Sequence, residues 1–309
     1  MSKVSVIGVG DVGATIAYTL QISGLATEIV LIDVDQRRAE GHAMDMNHGL
    51  FFTPPVTIRV GGYSDSAGSR LIVITAGARQ KPGETRLELT RRNAAICTAI
   101  LQELGPHIGD ANILMITNPV DIMTAVALRV SGLPDHQVFG SGTLLDSARF
   151  RYELSLRCGV DPRNVHAYVV GEHGDSEVFL WSQVHIAGTP LDAFCRGCGR
   201  ACLSEEKPAI EKAVRESAYH VIEKKGFTNY AVSLAVLRIA GAVLRGERSV
   251  LTVSTRLKGE YGLEGVCLSV PCLIGSRGVE RIVVTDLSEE ERRGLVASAA
   301  EIRSAQAAT

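Results

Sequence analysis

The chain is expected to be an α/β protein, a doubly wound parallel sheet followed by an α+β unit. Three observations predict this. Short apolar runs recur in the first 140 or so residues, at Val4–Ile7, Ile29–Ile32, Leu71–Ile74, Ile113–Ile116 and Val138–Phe139. They are continuous rather than alternating and rich in β-branched side chains, as strands buried on both faces are. Segments of roughly 20 to 45 residues separate them, room for a crossover helix each time, so right-handed βαβ connections follow. A glycine-rich turn, Gly8-Val9-Gly10-Asp11-Val12-Gly13, leaves the first run and opens a helical stretch from Ala14 to Ser23.

From about residue 142 the rhythm changes. Leu145 to Leu156 has helical period, and Val165–Val170 reads as a strand leading into Gly171-Glu172-His173-Gly174. A long helix is expected from Ser204 to Lys225, with Ser204 as N-cap and Glu205 and Glu206 in its first turn. Ile210, Val214, Ala218 and Val221 form its apolar stripe, and Lys224, Lys225 and Gly226 close it. Leu251–Val253, Val266–Val270 and Arg281–Val284 suggest antiparallel strands, and Ser288 onward a terminal helix. The expected division is therefore a nucleotide-binding domain over 1–141 and a catalytic domain over 142–309.

Composition narrows the function classes. The 309 residues are 46% hydrophobic and 21% charged, which suits a globular chain and excludes wholesale disorder. Thirty-two basic residues nearly cancel 34 acidic ones, so there is no electrostatic footprint for nucleic acid or an anionic membrane. The most apolar late stretch, Ala231 to Leu244, is interrupted by Arg238 and is shorter than the roughly 20 residues that a bilayer requires. No secretory signal is read after Met1-Ser2-Lys3, and seven cysteines without an even framework fit a reducing compartment. A cytoplasmic protein is expected.

The glycine turn carries the first chemistry. Its glycines suit a tight turn, close approach of backbone to a pyrophosphate, and packing of helix on strand; the helix N-terminus adds free N–H groups and a positive dipole end. Asp33 ends the second run, twenty residues after Gly13, where a carboxylate can accept the ribose hydroxyls and repel a 2′-phosphate. The alternative for Asp33 is a cap on the following helix. NAD, rather than NADP, is the expected cofactor.

NAD implies hydride transfer, which needs a partner to handle a proton on the substrate oxygen. His173 is the candidate, since imidazole exchanges a proton near neutral pH. Asp146 could orient it, and Arg149, three residues on, would share a helix face with Asp146. A lone histidine in a glycine-rich turn is also a common structural feature, and an i,i+3 Asp/Arg pair a common solvated one. These residues alone leave both readings open.

Several longer runs bear on the choice. Gly142-Thr143-Leu144-Leu145-Asp146-Ser147-Ala148-Arg149-Phe150-Arg151, Gly171-Glu172-His173-Gly174-Asp175-Ser176-Glu177 and Thr117-Asn118-Pro119-Val120-Asp121 occur together with the glycine turn, with Ala76-Gly77-Ala78-Arg79-Gln80-Lys81-Pro82-Gly83-Glu84-Thr85-Arg86, and with Lys225-Gly226-Phe227-Thr228-Asn229. This set resembles the 2-hydroxy acid dehydrogenase family that contains L-lactate and malate dehydrogenases. The resemblance implies a Rossmann domain holding NAD through Gly8, Gly10, Val12, Gly13, Asp33, Gly77, Ala78 and Asn118. It implies His173 as proton donor and acceptor, Asp146 as its orienting acid, and Arg149 as a bidentate clamp on the substrate carboxylate. Arg86 would polarise the substrate carbonyl from a closing segment between Gly77 and Leu89, and Asn118 would donate to the same region of the substrate as well as to the nicotinamide ribose.

Substrate choice in such a family falls on the residue before Lys-Pro-Gly. Malate enzymes carry arginine there to pair a second carboxylate; this chain has Gln80, and enclosing an unpaired carboxylate costs several kcal/mol. With Thr228 near the substrate methyl, pyruvate is expected over oxaloacetate; a malate or other 2-hydroxy acid enzyme is the alternative. Arg79 is a complication, being a cation one residue from Gln80. No Tyr-x-x-x-Lys occurs, which disfavours a short-chain dehydrogenase.

Arg151 and His166 match positions at which allosteric bacterial members of the family bind fructose 1,6-bisphosphate between subunits, though both could be plain surface or core residues. The resemblance also implies a homotetramer. Cys195-x-x-Cys198-x-x-x-Cys202 lacks a fourth ligand at conventional spacing, so no metal is expected.

Overall fold

In a computed structural model that describes residues 2–79, 83–198 and 205–307, the first part alternates strand and helix. It runs β1 (Lys3–Ile7), α1 (Asp11–Ser23), β2 (Glu28–Ile32), α2 (Gln36–His48), β3 (Thr57–Val60), β4 (Leu71–Ile74), α3 (Arg86–Leu104), β5 (Asn112–Met115), α4 (Val120–Ser131) and β6 (Val138–Gly140). The strands lie parallel in the order β3-β2-β1-β4-β5-β6. The order reverses between β1 and β4, and in open α/β sheets the crevice beyond the strand ends at such a point is where ligands bind.

Alternate side chains of each strand serve the two faces. Val4, Val6, Leu71 and Val73 pack with Ile16 and Leu20 of α1, whereas Ile7, Ile72, Ile74 and Ile113 pack with Cys97, Leu101 and Leu104 of α3 and Met123 of α4. Burial on both faces explains why these strands have no polar alternation. β3 is the exception: only Ile58 of Thr57-Ile58-Arg59-Val60 is fully buried, and this edge strand offers no continuous apolar run.

The second part comprises α5 (Leu144–Cys158), β7 (Val165–His166), β8 (Val169–Val170), β9 (Val178–Phe179), β10 (His185–Ile186), β11 (Thr189–Pro190), α6 (Leu191–Cys198), α7 (Lys207–Lys225), α8 (Tyr230–Arg245), β12 (Ser249–Lys258), β13 (Glu264–Gly275), β14 (Gly278–Ile282) and α9 (Glu289–Ala307). The late antiparallel strands do not form a sheet of their own. β12 joins β6 through Ser254 and Gly140, so β12-β13-β14 extends the parallel sheet to nine strands. A Cβ at Gly140 would lie 2.5 Å from Thr124 Oγ1 and 3.0 Å from Ser254 Cβ, which is why the junction holds glycine.

Two expected elements differ. Val165–Val170 is not one strand: Val165 and His166 pair with β10, while Val169 and Val170 pair with β9 in a separate hairpin. The chain changes partners at Ala167-Tyr168, and that change aims the following loop back toward the sheet. The long helix begins at Lys207 rather than in the region of Ser204, which lies outside the described residues; Glu205 and Glu206 precede it. Its stripe is buried at Ile210 and Val214 and runs out at Val221, which is 38% exposed.

Candidate active site

The glycine turn occupies the crevice at the β1/β4 switch point. Gly8 has φ +87°, and a Cβ there would meet Ala76 N at 2.5 Å; one on Gly13 would strike Gly8 O at 1.9 Å. Both positions are therefore closed to any other residue. Gly10 differs, because a Cβ there would point into open space at the start of α1, where no side chain caps the helix. Open space over uncapped amides is what a pyrophosphate requires.

Asp33 Oδ2 accepts from Val9 N at 2.5 Å, and Oδ1 accepts from Asp35 N at 2.9 Å. The cap on α2 is supplied by Asp35, whose side chain accepts from Arg38 N, so Asp33 is not that cap. Across the crevice Ala78 N donates to Asn93 Oδ1 at 2.8 Å, and Asn93 Nδ2 donates to Asn118 O at 2.8 Å. Asn93, on α3, thus ties the Gly77-Ala78 turn to Asn118. These residues fit a dinucleotide with two free ribose hydroxyls.

Asp146 and Arg149 lie in the first turns of α5 and face the loop after β8. Asp146 is almost fully buried and its carboxylate is shared: Oδ2 lies 2.6 Å from His173 Nδ1, and Oδ1 accepts from Arg149 Nη1 at 2.8 Å. Arg149 is only 17% exposed in its side chain, so the pair is not a solvated surface bridge. The histidine loop is pinned on several sides. Gly171 exchanges backbone hydrogen bonds with Ser269 of β13, Glu172 N donates to Ser298 Oγ of α9, and His173 N donates to Asp121 Oδ2 of α4 at 2.8 Å.

These contacts set the proton chemistry. The Asp146 carboxylate pushes the His173 imidazolium up to about 9, against the opposing effect of burial. Burial would raise Asp146 in turn, but the charge and hydrogen bond of His173, together with Arg149, hold it below the ordinary carboxylate range. Burial also pushes Asp121 up to about 6. A ring whose Nδ1 is engaged by a carboxylate keeps Nε2 for exchange with a substrate.

Arg86 stands beside this cluster. It is the first residue of α3, whose N-terminus is fixed by reciprocal hydrogen bonds between Thr85 and Glu88, so the closing segment expected between Gly77 and Leu89 is already helical from Arg86. Its guanidinium bonds Asp175 Oδ2 at 3.0 Å, two residues beyond His173 in sequence, and Tyr219 Oη of α7 at 2.9 Å. Arg79 turns its guanidinium onto Asp11 of α1, toward the nucleotide crevice. Gln80 lies outside the described residues. Thr228 is half-buried in the connection between α7 and α8.

Arg151 and His166 are brought to one place on the outer side of α5. Arg151 Nε donates to Ala167 O at 3.0 Å and its guanidinium lies 5.0 Å from the Tyr168 ring centre, while His166 is exposed on β7. Cys195 is buried on α6; the Cys198 side chain and Cys202 lie outside the described residues.

The sequence pattern did not single out Asn93, Asp121 or Tyr219. Asp121 and Asn93 look like ordinary polar residues on helices, and Tyr219 like a surface tyrosine; only the tertiary contacts give them a place. Asp121 did carry a signal, being an acid in the first turn of a helix directly after Asn118-Pro119.

Comparison with known proteins gives two family matches: the lactate/malate dehydrogenase NAD-binding domain over residues 2–140 and the lactate/malate dehydrogenase α/β C-terminal domain over 143–308. An L-lactate dehydrogenase from Thermoanaerobacter sp. strain X514 is 52% identical over 304 residues, 98% of each chain. That from Treponema denticola is 49% identical, over 98% of this chain and 96% of its own. Among solved structures, a lactate dehydrogenase from a Medee basin deep-sea metagenome library superposes with a TM-score of 0.97 at 39% identity, covering 99% of this chain and 98% of the other. The minor L-lactate dehydrogenase of Enterococcus mundtii gives 0.96 at 38%, with the same coverage.

Proposed function

This chain belongs to the lactate/malate dehydrogenase family, and from that premise we propose that it reduces pyruvate to L-lactate, and the reverse, with NAD as cofactor. One observation carries the reading: a single buried carboxylate, Asp146, holds both an imidazolium and a guanidinium, and the histidine's loop is tied to Asp121, three residues beyond Asn118. Those are the two groups that a 2-keto acid needs, one for its oxygen and one for its carboxylate.

The nucleotide would rest on Gly8, Gly10, Val12 and Gly13, with Asp33 at the ribose and Gly77, Ala78 and Asn118 opposite; when bound it supplies or takes the hydride. The chain's own residues do the rest. Arg149 clamps the substrate carboxylate in a bidentate fork and fixes the keto carbon in place. Asp146 keeps the proton on His173 Nδ1, so that Nε2 gives its proton to the substrate oxygen in reduction and takes one in oxidation. Arg86 leaves Asp175 and Tyr219 to polarise the carbonyl. Arg86 and Asp175 are 74% and 61% exposed in their side chains, and pairs exposed to that degree contribute only about 0.2–1 kcal/mol, so releasing the arginine costs little. Gly77 to Gly83 would close with it and exclude water.

Gln80 and Thr228 are neutral, and as residues at the far end of the pocket they would suit a methyl group and leave a second carboxylate unpaired. The test is kcat/KM for pyruvate against oxaloacetate with NADH. A ratio of at least tenfold in favour of pyruvate supports the assignment; equal values, or a preference for oxaloacetate, overturn it.

We further propose a division into nucleotide and catalytic domains at 141/142, a cytoplasmic location in which Cys97, Cys267 and Cys272 stay as buried thiols, and a homotetramer. Supporting self-association, α1 and α8 pack together and present Tyr18, Ile22, Tyr230 and Leu234, each about half exposed or more. In light scattering after gel filtration, a mass of one or two chains would contradict the tetramer. No helix among the described residues is long and apolar enough to cross a membrane. Arg151 and His166 suit a phosphate dianion, with fructose 1,6-bisphosphate as the proposed effector. Initial rates at low pyruvate should rise when it is added, and an unchanged KM would refute the site.

A further inference from the structure

The connection between α7 and α8 carries Thr228, and the side chains on either side of that residue form a clamp with no part in the chemistry above. Lys225 ends α7 and reaches over the connection. Its Nζ donates to Asn229 Oδ1 at 2.6 Å, and lies 4.0 Å from the centre of the Tyr230 ring and 5.1 Å from that of Phe227. Residues 226–228 are thereby closed into a short loop, which opens on Gly226 at φ +87°. Asn229 is buried, and its Nδ2 donates to Thr15 Oγ1 of α1 at 3.0 Å; Thr15 Oγ1 in turn donates to Asp11 O at 2.6 Å. Two side-chain hydrogen bonds thus join the connection to the first residue of the nucleotide helix.

Asn229 stands at the N-cap position of α8, where an asparagine side chain ordinarily accepts from the first free amides of the helix. It does not do so here: both ends of its amide are engaged elsewhere, on Lys225 and on Thr15. A buried amide satisfied from two other elements holds its own backbone from two sides. The same helix that ends at Lys225 places Tyr219 on Arg86 and on Asp175. The stretch from Tyr219 to Asn229 therefore runs from the histidine loop to the nucleotide helix, with Thr228 in its last turn before α8.

We propose that Asn229 is a positioning residue for substrate choice: held by Lys225 and Thr15, it fixes Thr228 at the alkyl end of the substrate and keeps that end in register with the nucleotide helix. The inference rests on the reading of Thr228 as a residue of the substrate pocket. Freed from α1, the connection yields to a longer 2-keto acid, and the preference for a methyl over an ethyl group narrows.

The test compares kcat/KM for pyruvate and for 2-oxobutanoate, one methylene longer, in Asn229→Ala, Thr15→Val and Thr15→Ser. A fitted pocket distinguishes one methylene by about 10- to 200-fold. Asn229→Ala removes both hydrogen bonds, Thr15→Val keeps the shape of the side chain without the hydroxyl, and Thr15→Ser keeps the hydroxyl. The preference for pyruvate should narrow by about fivefold or more in the first two and stay within about twofold of the wild type in Thr15→Ser, with NADH affinity within about threefold throughout. A wild-type ratio in either Asn229→Ala or Thr15→Val, even with a lowered Tm, would overturn the proposal, since lost packing alone does not move the choice between two substrates. Thr228→Ala separates the two readings. If it narrows the preference while Asn229→Ala does not, only the role of Asn229 falls; if it leaves the ratio at the wild-type value, the reading of Thr228 falls first.

Discussion

Replacing Asp146 with Asn removes the charge from the residue on which both His173 and Arg149 lean. The carboxylate is what lifts His173 to about 9, and burial, which opposes it, would remain. Without the carboxylate the ring should return to its ordinary value of about 6.5 or lower. At pH 7.5 the protonated fraction then drops from about 97% to about 9%, an order-of-magnitude loss before any effect on geometry. The amide can also present its N–H₂ to Nδ1 and select the wrong tautomer, a fault that costs about 10²-fold or more where general acid catalysis depends on it. The assay is NADH oxidation at subsaturating pyruvate from pH 5 to 10, with NADH affinity measured separately by fluorescence. The alkaline limb should fall by two pH units or more while NADH binding stays within about threefold. A limb that stays near 9, or a small loss independent of pH, would refute the reasoning. Stability follows the same linkage. Because the folded-state value lies above the unfolded one, the ion pair stabilises fully below about pH 6.5, and its contribution is lost as pH rises through about 9. Asp146→Asn should therefore lower Tm more at pH 6 than at pH 9.5.

Other substitutions probe the remaining parts. Gln80→Arg places a cation at the far end of the pocket and should raise kcat/KM for oxaloacetate relative to pyruvate by tenfold or more; an unchanged ratio would argue that position 80 does not face the substrate. Asp33→Ser removes the carboxylate that accepts from Val9 and Asp35, and should narrow the NAD over NADP preference by about tenfold in paired KM measurements, or the ribose assignment is wrong. Gly13→Ala puts a Cβ 1.9 Å from Gly8 O, so the turn must move. NADH affinity in a fluorescence titration should fall by tenfold or more, with Tm lowered as well.

Much of this architecture could be read from residue order because local and global signals agreed. Continuous runs such as Leu71–Ile74 can only be satisfied between two helical layers, and the Gly8–Gly13 turn has room for nothing but glycine at two of its positions. The failures have a common cause in pairing that is not local. Val165–Val170 holds no glycine, proline or other turn residue, yet its two ends find different partners, β10 and β9. β3 is not read from the sequence, because it is an edge strand whose Arg59 points to Glu28 and Asp65 rather than to a core. The junction of β12 with β6 rests on a single pair, Ser254 with Gly140, some 114 positions apart in the chain, and no pattern in either strand announces it.

The candidate site divides in the same way. Asp146 and Arg149 share a helix turn, so their proximity follows from spacing, whereas their contact with His173 depends on the β8–β9 hairpin and on Asp121 and Ser269 holding the loop. A motif match carries such a constellation across; periodicity does not. Glu177 shows the limit from the other side. As a letter it is one more acid in a polar run, and only its burial, with Oε1 lacking a hydrogen-bond donor among the described residues, sets it apart.

The claim on which the rest depends is that His173 passes the proton to the substrate oxygen. It is tested most directly by the single-turnover rate of pyruvate reduction in preformed His173→Gln·NADH, against the wild type at pH 7. The rate should fall by about 10²- to 10⁴-fold with NADH still bound; a rate within a few-fold of the wild type would place the proton donor elsewhere.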